Sequence, residues 1–118
     1  VDCAEPYKLA GFWSQVTDFP LDDDANPNEE EVCLAPPDGH PIMLFKQVPE
    51  SKVQKNRVHL DIIPRNATRD SEVDRLLALG ATLVADRRTP EGKGWVVLAD
   101  PEGNEFCVER SDLDRQSG

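Results

Sequence analysis

A chain of 118 residues with 38% hydrophobic content and a mean hydropathy of −0.54 has the size and polarity of one soluble domain. No apolar run approaches the roughly 18 residues that a membrane-spanning helix needs. A net charge of −10 argues against a nucleic-acid partner, because phosphate binding requires a basic face.

In chain order, Val1-Asp2-Cys3 reads as a strand stub. Leu9, Phe12, Trp13 and Val16 then fall at i, i+3, i+4 and i+7, one apolar helical stripe that assigns Trp13 to the core. Pro6 suits the first turn of that helix. A weak strand is expected at Phe19–Asp22. The acid-rich stretch Asp22–Glu31 reads as a solvated loop, since it lacks the spaced acids and glycine of a calcium loop. Strands are expected at Glu31–Ala35 and Pro41–Val48, joined by the turn Pro36-Pro37-Asp38-Gly39, with His40 as a turn residue.

Residues 49–57 read as a linker whose bases could answer the acids of the first half. A strand follows at Val58–Ile63, closed by Pro64. Asn66-Ala67-Thr68 matches a glycosylation sequon, a pattern common by chance. Val73, Leu76 and Leu77 mark a second helix, with Thr68, Asp70 and Ser71 as N-cap candidates and Gly80 as its stop. Strands are expected at Thr82–Asp86, Gly94–Ala99 and Asn104–Glu109, the last two joined by the turn Asp100-Pro101-Glu102-Gly103. Residues 111–118 read as a polar tail. The three cysteines, Cys3, Cys33 and Cys107, are odd in number and form no CxxC; a disulfide framework is not expected, and a reducing cytoplasm fits.

The two halves echo each other. VCLAPPDGHPIML (32–44) and VVLADPEGNEFCV (96–108) match at a constant offset of 64 residues, as do Leu9, Phe12 and Trp13 with Val73, Leu76 and Leu77. The chain therefore reads as a single domain, 1–118, of two tandem βαβββ modules, 1–48 and 58–110, in the α+β class. One helix covers one face of each sheet. The other face must be buried by something, and two curved sheets facing across a cleft are the simplest answer.

The paired modules, the LADPEGNEFCV ending, the VHLDI strand and the DCAEPYKLAGFW opening resemble the glyoxalase/bleomycin resistance/extradiol dioxygenase superfamily, the vicinal oxygen chelate fold. The nearest subgroup is that of the glyoxalase-like domain. The resemblance covers nearly the whole chain and implies a curved, incomplete β-barrel with a cleft. It does not fix an activity, because this scaffold hosts lyases, dioxygenases, epimerases, transferases and drug-binding proteins.

Strand alternation sorts the faces. Val32, Leu34, Ile42, Leu44, Val58, Leu60, Ile62, Val96, Leu98, Phe106 and Val108 are expected under the helices. The cleft is expected to receive Cys33, Met43, Phe45, His59, Asp61, Trp95, Val97, Glu105 and Cys107. Of these, Met43, Phe45, His59, Asp61, Trp95, Val97, Glu105 and Cys107 are the candidate ligand-binding residues of an apolar, aromatic pocket. Trp95 and Phe45 would stack on a ligand and His59 would supply a polar handle, with Asp61 as its candidate partner.

In metal-dependent members the ligands come from the first and last strands of the modules. Carried over by position, the resemblance implies His59 and Cys107, with Met43 at the last-strand position of the first module and the first-strand position falling just before Val1. Cys107 stands where Glu is expected, and a thioether is a poor ligand for a hard ion. The expectation is a small-molecule binder with no catalytic metal. The alternatives are a divalent-metal glyoxalase-type lyase or isomerase or a dioxygenase, with His59 and Cys107 as catalytic candidates, and a structural module without ligand. A homodimer is left open.

Overall fold

The computed structural model describes residues 1–37 and 41–116. The expected turn at Asp38-Gly39 and the role given to His40 lie outside them. The chain divides into two compact units, Val1–Val53 and Gln54–Gly118, so the boundary falls inside the expected linker.

The first unit contains β1 (Asp2–Cys3), α1 (Pro6–Thr17), β2 (Glu31–Leu34) and β3 (Met43–Gln47). Pro6 occupies the first turn of α1, where its missing N–H costs nothing. The helix ends at Asp18, which adopts φ 62° and donates its backbone N–H to the Ser14 carbonyl at 2.9 Å. Leu9, Ala10, Phe12, Trp13 and Val16 are buried, as the periodicity required, and the Phe12 and Trp13 rings meet edge to face at 5.6 Å. They share the unit's core with Val32, Leu34 and Phe45. Each such side chain contributes roughly 1.5–3 kcal/mol by leaving water.

The sheet order is β1-β3-β2, with β1 parallel to β3 and β2 antiparallel to it. The strand expected at Phe19–Asp22 is reduced to one bridge, Leu21 with Leu34. Pro20 has no N–H to give to a ladder, and two backbone bonds remain: Asp22 N–H to the Cys33 carbonyl, 3.1 Å, and Ala35 N–H to the Pro20 carbonyl, 2.7 Å.

The second unit contains β4 (Leu60–Ile62), α2 (Arg69–Ala78), β5 (Thr82–Asp86), β6 (Val96–Ala99), β7 (Glu105–Val108) and α3 (Asp112–Gln116). Its order, β4-β7-β6-β5, repeats the first sheet: first strand parallel to last, then antiparallel outward. Thr68 is the N-cap of α2, its hydroxyl accepting from Ser71 N–H at 3.1 Å. Gly80 follows the helix at φ 118°, a conformation that costs glycine little. Val73 and Leu76 are buried together with Val96, Leu98, Phe106 and Val108, whereas Leu77 stays partly exposed. The expected polar tail instead opens with α3: Asp114 accepts from Ser111 N–H at 2.8 Å and Ser111 Oγ accepts from Asp114 N–H at 3.3 Å, a reciprocal cap.

One expectation fails in an instructive way. Val32 pairs with Phe45 and Leu34 with Met43, while Val96 pairs with Val108 and Leu98 with Phe106. Phe45 is therefore the structural counterpart of Val108, one residue short of the 64-residue offset. The first hairpin loop is one residue longer than the second, and a one-residue slip moves every side chain of a strand to the other face. Phe45 and Met43 thus lie on the α1 side, with Phe45 fully buried, and Ile42 and Leu44 are exposed rather than tucked under the helix. On the opposite face stand Cys33 and its partner Leu44.

Candidate functional site on the open face of the second sheet

The turn that launches β7 is built around one buried carboxylate. Asp100 Oδ1 accepts from the backbone N–H of Glu102 at 2.9 Å and of Asn104 at 3.0 Å, and the Asn104 amide reaches Oδ2 at 3.0 Å. The Asp100 carbonyl accepts from Gly103 N–H at 2.9 Å, with Gly103 at φ 88°. This is why the segment must read Asp-Pro-Glu-Gly-Asn: a short acceptor, a fixed φ, a left-handed glycine and an amide that closes the loop. The first module has Pro36 at the position of Asp100 and lacks this carboxylate.

Asn104 and Glu105 then anchor the segment entering the unit. Asn56 Nδ2 donates to Asn104 Oδ1 at 3.3 Å, and Glu105 N–H donates to Asn56 Oδ1 at 3.1 Å. Lys55 Nζ meets Glu105 Oε1 at 2.8 Å. His59 Nε2 lies 3.1 Å from the Asn56 carbonyl and 3.8 Å from Glu105 Oε1. The imidazole is therefore engaged by Asn56 and Glu105, not by Asp61 as expected. Lys55, expected to answer the acids of the first half, is spent on the second.

On the face turned away from α2, the parallel β4–β7 ladder sets Asp61 directly opposite Cys107, and the antiparallel ladder sets Val97 on the other side of Cys107. Glu105 in β7 and Glu109 just beyond its end flank Cys107 on the same face. Alternation from buried Val96 places Trp95 beside Val97; Trp95 is 42% exposed and its carbonyl extends the ladder by accepting from Arg87 N–H at 2.9 Å. Of the sequence-derived candidates, His59, Asp61, Trp95, Val97, Glu105 and Cys107 thus share one face. Met43 and Phe45 do not belong to it.

Asp61, Cys107 and Glu109 each present one ligand atom, and the three atoms lie within 4.8 Å of one another. Burial pushes the Cys107 thiol pKa up, and the negative charges of Asp61, Glu109 and Glu105 and a hydrogen bond with Asp61 push it further. Burial and then Asp61 raise the Glu109 carboxyl as well, against a smaller opposing pull from Arg115. Cys33, on the first sheet, is raised by burial and by Asp22 and Glu31. These environments disfavour a thiolate, so neither thiol is poised as a nucleophile. The importance of Glu109 escapes a reading by position, because it emerges only when β4 brings Asp61 alongside.

The metal set implied by the resemblance does not fit these residues. Met43 stands on the α1 side of its sheet, and Nε2 of His59 already lies against the Asn56 carbonyl. Asp61, Cys107 and Glu109 supply a different donor set, two carboxylates and a sulfur. A separate groove of about 260 Å³ in the first unit is lined by the start of α1 with Pro27, Asn28, Glu29 and Gln47, and contains none of the candidate residues.

The model of the glyoxalase-like domain matches residues 1–109. No curated protein matches the chain. Among solved structures, a glyoxalase/bleomycin resistance protein/dioxygenase family enzyme from Burkholderia phytofirmans PsJN is similar at 23% identity and TM-score 0.66, covering 92% of this chain and 91% of that one. TioX from Micromonospora sp. ML1 is similar at 19% identity and TM-score 0.60, with 93% of each chain covered. A mutant fosfomycin resistance protein, FosX, from Listeria monocytogenes, complexed with Mn(II) and 1S,2S-dihydroxypropylphosphonic acid, is similar at 13% identity and TM-score 0.67, covering 98% of this chain and 89% of that one. At these identities the likeness to solved structures establishes the fold, and the match over residues 1–109 establishes the family. The chain belongs to the glyoxalase-like domain family, on the vicinal oxygen chelate fold.

Proposed function

We propose that the protein binds a small molecule carrying both an apolar ring and a positive charge against the open face of its second sheet, without a catalytic metal at His59. One observation carries this reading. Trp95 and Val97 lie on the same face as Asp61, Glu105 and Glu109, so a flat apolar contact stands beside a concentration of carboxylates. An aromatic face attracts rings and cations alike, and a half-buried carboxylate binds a cation more strongly than a fully hydrated one. The fold supports the reading, because relatives on this scaffold hold small molecules, as the FosX complex does. The excess acid of the chain would favour encounter with a cationic ligand.

Fluorescence quenching tests it. The probe is a panel of aromatic amines titrated into the full chain, with Trp95→Phe to separate Trp95 from the buried Trp13. Saturable quenching that is absent in Trp95→Phe and weakened in Asp61→Asn supports the reading. Saturable binding that neither substitution alters, or no binding by any member of the panel, contradicts it.

A further inference from the structure

We propose that Asp61, Cys107 and Glu109 form a site for a thiophilic divalent cation of the zinc type, in which Asp61 and Glu109, and not His59, stand beside the thiol. The geometry begins with the register. Asp61 and Cys107 are direct partners across the parallel β4–β7 ladder, and Glu109 follows the end of β7, where its backbone N–H donates to the Ile62 carbonyl at 2.9 Å and alternation keeps it on the face of Cys107. Their three ligand atoms lie within 4.8 Å of one another, a spread that side-chain rotation can close around one ion.

The chemistry of the donors chooses the metal. Two carboxylate oxygens with one thiolate suit zinc better than magnesium or calcium, which take all-oxygen shells. Three protein donors leave a fourth tetrahedral position open to water or a ligand atom.

A second observation is the state of the charges. Glu105, one step along the same face, is paired with Lys55 at 2.8 Å. Among the described residues, neither Asp61 nor Glu109 takes part in any ion pair, and Arg115 acts on Glu109 only through its field. Two carboxylates are thus held close together beside a thiol with no counter-ion in contact. Such like-charge grouping is unfavourable by itself and is relieved by a bound cation. His59 is outside the set because its Nε2 lies against the Asn56 carbonyl at 3.1 Å.

The inference goes beyond the ligand-binding reading and does not depend on it. An ion could be held here with or without an organic ligand on the same face. The test is a titration of Co(II) into the reduced, tag-free chain, read by the near-ultraviolet thiolate-to-cobalt charge-transfer band, with zinc added last as competitor. One equivalent of Co(II), displaced by zinc, is expected. Cys107→Ser should abolish the band, and Asp61→Asn and Glu109→Gln should each weaken binding by roughly tenfold or more, since even indirect supports of metal ligands are worth that much. His59→Ala should leave affinity within about twofold, and Cys33→Ser should leave the band in place.

Circular dichroism checks each variant. If Cys107→Ser fails to fold, Asp61→Asn and Glu109→Gln decide the matter. Absence of the band in the unsubstituted chain overturns the inference, as does its loss in His59→Ala with no change in Asp61→Asn. Repeating the aromatic-amine quenching in a chelator keeps the two readings apart, because loss of cobalt binding leaves that result untouched.

Discussion

At the scale of single residues, burial and face decide what each aromatic can do. Phe45 is fully enclosed beneath α1, so Phe45→Ala should cost about 3–5 kcal/mol of stability. Trp95 is partly exposed, so Trp95→Ala should cost less than Phe45→Ala while removing binding of aromatic amines. Urea unfolding of both variants checks the contrast, and equal losses would mean that the face assignment is wrong. Asp100 supports the tight turn from beneath; Asp100→Ala strands the N–H groups of Glu102 and Asn104 and should cost about 1–3 kcal/mol per unsatisfied group. The thiol of Cys107 gives a chemical readout. Its pKa is raised by burial first and by Asp61 next, so at neutral pH its alkylation should be slow, and Asp61→Asn should accelerate it. Mass mapping of iodoacetamide adducts measures this, and an unchanged rate at Cys107 would remove Asp61 as a cause.

At the scale of elements, the sequence spoke clearly where periodicity and caps were both present. The stripe Leu9, Phe12, Trp13 and Val16 became the buried face of α1, and the Thr68 cap and Gly80 stop bounded α2. Thr68→Ala should lower stability by about 1 kcal/mol, visible as a reduced denaturation midpoint. The faces of β6 and β7 were legible because those strands alternate, whereas Val58 and Leu60, expected under the helix, are exposed, and β5 carries a bulge between Leu83 and Ala85. In the first sheet β2 was read correctly and β3 was not, because the 64-residue echo in VCLAPPDGHPIML hides a hairpin loop one residue longer, and alternation has no memory across such an insertion. Short-range caps were missed too: Ser111 and Asp114 sit three residues apart, a spacing that announces α3, yet residues 111–118 looked polar and featureless.

The loop before β6 is held by Arg69, which is 4% exposed and donates to the carbonyls of Lys93 at 2.9 Å and Gly94 at 3.0 Å. Gly94 adopts φ 87°, and a Cβ there would collide with the Arg87 carbonyl, so Gly94→Ala should be strongly destabilising. Around it, Arg88 hydrogen-bonds Asp86 and holds its carboxyl at about 2, and Asp70 is lowered in turn by Arg69, with Arg88 assisting. Both are acids with depressed folded pKa values. Their contribution is present above the ordinary carboxylate range and is lost as pH falls from about 3.8 toward about 2. Glu109 works in the opposite sense: its raised pKa favours the folded state in acid, and that advantage fades as pH rises through the shifted value. Replacing Arg88 with Met should therefore flatten the loss of stability below pH 3.8, followed by thermal melts at a series of pH values.

At the scale of the whole molecule, the duplication explains the architecture and the differences between the copies explain the site. The second sheet repeats the order of the first, first strand beside last, and adds β5 at its edge. The second has the Asp100 turn and a row of acids on the same face as Trp95 and Val97. The family and fold were recognisable in the sequence because the helical stripes and the strand–turn–strand segments recur at a 64-residue offset and the second copy carries the Asp-Pro-Glu-Gly-Asn turn. The donor set of Asp61, Cys107 and Glu109 was not, because it depends on which strands become neighbours, and β4 and β7 are separated by 42 residues of chain between Ile62 and Glu105.

The measurement that tests the central claim most directly is a map of backbone amide shifts as an aromatic amine from the quenching panel is titrated into the isotopically labelled chain. The account predicts shifts that cluster on Asp61, Trp95, Val97 and Glu105 to Glu109, with those of α1 and β3 unmoved. Shifts confined to the groove near Pro6, Pro27 and Gln47, or no shifts at saturating ligand, would contradict it.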